Sequence, residues 1–327
     1  MRMRMMQFCF AILLIGFLGG AAVVAAGMMA AAAGAEAEAQ FSFVEDGAAG
    51  TLMIRDGKTP VLIYRYGDEL KPGADPKYTQ SCYVHPLYSL DGVALTDDFP
   101  ADHLHHHGLF WVWPVVRTRG VTTSTWEPLL PRLRQHFTRW LKREAVDGSF
   151  LLSVENEWRL EGKEAVARER VTFRVHPADR LGRAIDFELV IEALGGPLEL
   201  RGTPAENKGY GGLCFRGAPA FTGAAMTTDE GELKEDAVNA PFRWADLSTA
   251  DSGVAIFVSP DHPGYPTKWL IRNSYAGVMN VSWPGLDPVV LRPGEPVTLR
   301  YRIYVHRGDA GAADLSAAYA AYTKGAS

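Results

Sequence analysis

Cysteine is scarce. Three residues in 327, Cys9, Cys82 and Cys214, rule out a disulfide framework. A bond between Cys82 and Cys214, or two buried free thiols, are the readings left. Charge of one sign is also missing. The net charge is −5 and no long Lys/Arg block occurs, which excludes nonspecific nucleic-acid binding. Beyond residue 35 no apolar run is long enough to cross a bilayer as a helix. No Gly-x-x-x-x-Gly-Lys pattern precedes a helix, so there is no phosphate loop. The 33 Gly and 20 Pro follow neither a collagen period nor a Pro-rich tract. What is present is a globular composition, 47% apolar and 22% charged, which excludes a disordered chain.

Residues 1–35 hold two charges, Arg2 and Arg4, and no acid. An apolar run from Phe8 to Leu18 follows, then Gly19-Gly20 and an Ala-rich stretch. A charged start, apolar middle and small-residue end describe a secretory signal, with cleavage zones at Val24-Ala25-Ala26 and Ala33-Gly34-Ala35. The expectation is a signal peptide over 1–35 and an exported chain, periplasmic or secreted. The rival reading is an uncleaved anchor over Met5 to Ala35, the one membrane contact the sequence offers.

Period two dominates the remainder. Apolar residues alternate through Ile185–Ile191, at Val171, Phe173 and Val175, and at Leu299, Tyr301, Ile303 and Val305. Such alternation describes strands with one buried and one wet face. Further strands are expected at 51–55, 60–66, 108–117, 150–160, 210–216, 253–258, 268–273 and 277–283. Turn signals such as Asp56-Gly57, Asp147-Gly148 and Pro293-Gly294 separate them. Helical spacing is confined to Leu315, Ala318, Tyr319 and Tyr322, with a short helical turn near 128–136 as a second candidate. Asp309 or Asp314 is the expected cap, and Gly325 the stop. The fold expected is all-β: one large antiparallel β-sandwich over 36–327, with a C-terminal helix at about 312–323.

Four of the nine histidines lie within five residues, in Asp102-His103-Leu104-His105-His106-His107-Gly108. On an extended chain His103, His105 and His107 point to one side and His106 to the other. Imidazoles two apart on a strand can share a metal, so His105 and His107 are candidate ligands for zinc, iron or copper, completed by Asp98, Asp102 or a distant His. Neutral imidazoles also serve as general acids and bases near neutral pH. A cluster of four repels itself when protonated, so stability alone does not account for it. A second constellation runs Glu206-Asn207-Lys208-Gly209-Tyr210-Gly211-Gly212-Leu213-Cys214-Phe215-Arg216. Its glycines let backbone approach a ligand. Glu206 or Lys208 is the candidate for proton transfer, and Arg216 for clamping an anion or hydroxyl. His262, in a Pro-fixed loop ahead of Arg272-Asn273, and His85, in Tyr83-Val84-His85-Pro86, are candidates to face the same pocket. His136, His176 and His306 read as surface or strand-face residues.

With these residues in view, the chain resembles a family of exported bacterial proteins named the methane oxygenase PmoA family. The stretches that carry the resemblance are Tyr83–Ser89, Leu95–Pro100, Asp102–Trp111, Lys208–Gly212, Leu291–Pro296 and His306–Gly308. The resemblance extends over essentially the whole mature chain, and the histidine-rich stretch is its most specific part. The resemblance implies a β-sandwich like the galactose-mutarotase supersandwich, whose members commonly act on sugars with His and carboxylate groups. Three functions follow as expectations. One is an exported carbohydrate-active lyase, hydrolase or epimerase, with His103, His105, His107, Glu206 and Lys208 as the catalytic set. There His85, Asp98, Asp102, Asn207, Tyr210, Arg216, His262 and Trp111 would hold the substrate, with Trp111 or Trp113 stacked on a pyranose. The second is a metal-dependent oxidoreductase or oxygenase, as the family name implies. The third is a noncatalytic glycan-binding module. Each takes a small-molecule or glycan ligand.

Overall fold

The structure, a computed structural model, describes residues 41–273 and 277–325. The N-terminal segment read as a signal or anchor lies outside them. The first strands are β1 (Phe41–Asp46), β2 (Thr51–Asp56), β3 (Thr59–Arg65), β4 (Tyr83–Leu87), β5 (Leu109–Val112), β6 (Val115–Thr118) and β7 (Val121–Thr123). Four follow as β8 (Leu133–Val146), β9 (Ser149–Leu160), β10 (Glu164–Val175) and β11 (Gly182–Ala193), then β12 (Leu198–Arg201) and β13 (Gly212–Arg216). The chain continues through β14 (Ala225–Thr228), β15 (Gly231–Glu232), β16 (Ala237–Pro241), β17 (Trp244–Ser248) and β18 (Ser252–Val258). It ends with β19 (Lys268–Arg272), β20 (Val278–Ser282), β21 (Val289–Leu291), β22 (Val297–Arg307) and the helix α1 (Leu315–Gly325).

These strands form two nine-stranded sheets and a small one. The front sheet runs β1-β2-β3-β4-β5-β13-β20-β19-β16 and the back sheet β15-β14-β17-β18-β22-β11-β10-β9-β8, all neighbours antiparallel. The small sheet is β21-β12-β6-β7. The front and back sheets pack face to face, as alternation on both demands. Trp111 of β5 meets Phe187 of β11 at 5.1 Å between ring centroids, and Tyr64 of β3 meets Phe173 of β10 at 6.4 Å. Register lines up Phe173, Phe187 and Tyr301 across β10, β11 and β22, and their rings stack in a row. At the middle of this core lies one carboxylate, Glu169. It accepts from the indoles of Trp158 (2.6 Å) and Trp111 (3.2 Å) and from Asn156 Nδ2 (2.8 Å). Asn156 Nδ2 also donates to Tyr64 Oη, so the group joins both sheets.

α1 covers the outer side of the back sheet. Leu315, Tyr319 and Tyr322 pack on Phe257 and Tyr304, and Tyr265 and Tyr319 share a 2.8 Å hydroxyl bond. The helix begins three residues later than the spacing indicates, because Asp314 has φ of 46° and its carboxylate accepts from Ala317 N. No helical turn forms near 128–136. Leu133 instead opens the fourteen-residue β8, whose ladder with β9 shifts register at Phe137/Arg139 and Trp140/Lys142. Those shifts break the alternation that would have marked it as a strand. The expected 108–117 strand is cut at Pro114, which has no N–H to donate, and its second half joins the small sheet as β6. Cys82 and Cys214 are free, buried thiols.

Candidate functional site

The outer face of the front sheet carries a second, smaller apolar layer. Tyr83, Phe110, Val112, Trp126, Cys214 and Val278 are buried there, with Tyr210 packed against them. Above it opens a cleft of about 240 Å³, lined by His103, His105, His106, Trp126, Glu127, Lys208, Tyr210, Leu270, Arg272 and Val278.

The histidine segment reaches this cleft as a turn, not as a strand. His103 N donates to Pro100 O, His106 N to His103 O and Phe99 N to His106 O. The turn ends at Gly108, where a Cβ would come within 2.3 Å of Val84 O, so only glycine lets the chain enter β5 beside β4. Turn geometry replaces the alternation expected of an extended chain. The rings of His103, His105 and His106 therefore gather, with centroids 4.6 to 5.6 Å apart. His107 leaves in another direction and is buried between Tyr83 and Phe99.

Each imidazole has its own electrostatic setting. His107 Nδ1 donates to Asp98 Oδ1 at 2.8 Å, and Tyr83 Oη donates to Asp98 Oδ2 at 2.9 Å. Burial opposes the Asp98 charge, but these bonds outweigh it and keep the pKa below the usual carboxylate value. His85 stands behind the same group, with Nδ1 3.0 Å from Thr96 Oγ1, and burial lowers it to about 4 despite Asp98. Asp102 accepts from Arg216 Nη2 at 3.0 and 3.1 Å, and its Oδ2 lies 3.0 Å from His103 Nδ1. Arg216 Nη1 lies 3.4 Å from His106 Nδ1. A guanidinium only donates, which leaves the His106 proton on Nε2. Burial, then the charges of His105, His103 and Arg216, hold His106 well below its ordinary pKa. Burial, then His103 and His107, lower His105 to about 4.

His105 Nε2 stands 3.5 Å from Glu127 Oε1. Burial raises the Glu127 pKa while it lowers that of His105, so the two affinities for a proton approach each other. Glu127 is held by a run of hydroxyls. Ser124 Oγ donates to Trp113 O at 3.2 Å and accepts from Trp126 N and Glu127 N at 2.9 and 2.8 Å. Thr125 Oγ1 accepts from Trp113 N at 2.8 Å. Trp126 meets Tyr210 at 4.8 Å and His106 at 5.9 Å. Neither Glu127 nor Trp126 was among the sequence candidates. The signal was Thr122-Thr123-Ser124-Thr125, side chains that bond backbone in loops, placed directly before a Trp-Glu pair.

On the far wall Lys208 and Tyr210 come from the loop between β12 and β13. Thr203 N donates to Tyr210 O, and Gly209 N to Thr203 O. Gly202 lies so close beneath that a Cβ would come within 2.1 Å of Gly209 O.

Of the sequence candidates, the cleft gathers His103, His105, Lys208 and Tyr210, and Arg216 and Asp102 brace it from behind. Others do not line it. Glu206 and Asn207 are exposed, and Glu206 pairs with Lys208 at 2.8 Å. His107, Asp98 and His85 form the separate group behind the turn. Trp111 points into the sandwich and is tied to Glu169, because odd positions of β5 face the core. Trp113, on the same face, donates to Trp283 O. His262 is also core: Nδ1 donates to Pro263 O and Nε2 accepts from Tyr301 Oη, both at 2.8 Å. His306 lies on a strand, β22, as one of the two readings had it, but is buried and not at the surface, with Nε2 2.8 Å from Asp246 Oδ1. The expected metal pair His105 and His107 diverges, and among the described residues no group of three or more His, Cys, Asp or Glu is placed to hold one ion.

Fold and site thus define an antiparallel β-sandwich protein with a histidine-lined cleft on one sheet. The chain belongs to a family of unknown function, DUF6807, whose profile matches residues 51–320. No curated sequence matches it. Among solved structures it is similar to a galactose mutarotase related enzyme from Lactobacillus acidophilus, with a TM-score of 0.36, 9% identity, and 81% of this chain and 97% of that one covered. It is also similar to a GalM/aldose epimerase homologue from C. elegans, with a TM-score of 0.34, 10% identity and coverages of 83% and 100%.

Proposed function

We propose that this protein is an exported carbohydrate-active enzyme that moves a proton on a sugar bound in the cleft. The observation that carries the reading is the pair His105 Nε2 and Glu127 Oε1, 3.5 Å apart in a cleft walled by Trp126 and Tyr210. A carboxyl group whose proton affinity burial raises, beside an imidazole whose affinity burial lowers, can exchange a proton with less cost than the free groups. Aromatic walls with a few convergent polar groups suit a sugar ring. Glu127 is the single carboxyl side chain among the lining residues, whereas glycoside hydrolysis by the usual route needs two that flank the bond. An epimerase or lyase therefore fits better than a hydrolase. In this reading His105 exchanges the proton with the sugar, Glu127 is its partner, and His106 donates from Nε2 to a sugar oxygen.

Deuterium uptake from heavy water into a panel of sugars, followed by NMR, tests the reading. Glu127→Gln and His105→Asn should each slow exchange by about 10² or more while KM changes little. Exchange at the full rate in both variants would eliminate the pair as the catalytic groups.

A further inference from the structure

Two cations face the cleft, from unrelated parts of the chain. Lys208 comes from the β12–β13 loop and Arg272 from the end of β19. The loop that delivers Lys208 is held in an uncommon shape. Glu206 and Asn207 have φ of 50° and 56°, in the left-handed region that side-chain-bearing residues rarely adopt. Strain of this kind, maintained by surrounding structure, is a mark of binding loops. Arg272 is braced from behind, where Nη1 donates to Asp236 Oδ2 at 2.8 Å. Asp236 is not a lining residue, so its carboxylate fixes the guanidinium without filling the cleft.

The chain supplies its own anion to this wall. Glu206 Oε2 lies 2.8 Å from Lys208 Nζ, and the Arg272 charge also acts on the Glu206 carboxylate. The Glu206 side chain is 76% exposed and hangs at the rim. So exposed an ion pair is weak and screened by salt. An anion that also gains ring contacts on Trp126 and Tyr210 has the advantage over it.

Building on the sugar-site reading, we propose that the sugar carries a carboxylate, as a uronic acid does, and that Lys208 and Arg272 clamp it in place of the Glu206 carboxylate. The chemistry agrees with the opposite wall. A carboxylate neutralised by two cations acidifies the C–H next to it, and that is a proton His105 and Glu127 can take. The C–H electron pair then spreads into the carboxylate. A solvent proton delivered to the other face, while the His105–Glu127 pair releases the one it took to water, gives the epimer. Departure of the neighbouring C4 oxygen, as the C4–O bond breaks and the oxygen takes the His106 Nε2 proton, gives the unsaturated sugar.

The test is calorimetric binding of glucuronate, galacturonate and mannuronate oligosaccharides to the full chain. Each is compared with its carboxyl-reduced counterpart, which keeps the ring and loses the charge. The acids should bind about tenfold or more tightly than the reduced sugars. Lys208→Met and Arg272→Met should each remove most of that preference and leave the reduced sugars unaffected. Glu206→Gln should strengthen acid binding several-fold by removing the competing carboxylate, and raising salt from about 50 mM to about 500 mM should weaken the acids alone. If reduced sugars bind as tightly as acids and the variants alter both equally, the carboxylate clamp is wrong and the sugar site survives. If Glu206→Gln weakens acid binding, Glu206 is no stand-in and the clamp is wrong. If no member of the panel binds, the sugar reading itself falls, and the clamp with it.

Discussion

At the scale of single residues the dominant fact is that burial keeps several imidazoles neutral. His262 is the cleanest case, since it lies in the core away from the cleft and burial lowers it to about 4. Its folded value lies below its unfolded one, so between these pH values the unfolded chain binds more protons. Stability is therefore complete above about pH 6.5 and falls as pH drops toward 4. Taking the chain from pH 7.5 to pH 5 should cost about 2 kcal/mol through His262 alone. Urea unfolding of wild type and His262→Gln at the two pH values measures this share. A variant with the same pH slope as wild type would show that His262 contributes none of it. The same scale shows what could be read from sequence. Four histidines in five residues advertise chemistry whatever the fold. Which of them share a cleft depended on a turn at 103–106, where the alternation rule does not apply. Glu127 carried only the fainter mark of the hydroxyl run before it, because one acid in a loop looks like any solvated charge until its backbone is seen pinned by Ser124.

At the scale of elements, the loop between β12 and β13 is set by glycine contacts, not by side chains. Gly202→Ala would push a methyl group against Gly209 O and Gly285 O. It should cost about 1–3 kcal/mol of stability and shift the Lys208–Tyr210 segment. Thermal unfolding reads the first effect and ligand affinity the second. A variant that binds and unfolds like wild type would show that the loop does not depend on this close approach. Strand legibility follows the same logic of faces. β10, β11 and β22 read clearly because one side meets the core and the other meets water. β5, β13 and β20 are buried on both sides, since the apolar layer under the cleft covers their outer face, and they appear only as short apolar runs. β1, β4, β7, β8, β12, β14 to β17 and β21 were not anticipated. Bulges interrupt β8, and β15 is two residues long.

At the scale of the whole molecule, the two sheets are joined by the Glu169 group as well as by apolar packing. Glu169→Ala leaves the Trp111 and Trp158 indoles and the Asn156 amide without that acceptor. The loss should be at least about 3 kcal/mol, since each buried donor left unmet costs about 1–3 kcal/mol. Glu169→Gln keeps one carbonyl oxygen and should cost less. The two denaturant midpoints test this ranking, and equal midpoints for Glu169→Ala and wild type would show that the carboxylate adds nothing. The paired antiparallel sheets were visible in the alternation, whereas this charge was not, because a Glu in a charged strand reads as an outward residue. Its position has a mechanical corollary. Sliding or parting the layers would strip a carboxylate of its donors in a dry interior, so the slabs behave as a fixed anvil. Accommodation of guests of different size then falls to the two rim segments, 100–107 and 202–209, and diversification of this architecture toward new ligands should begin there.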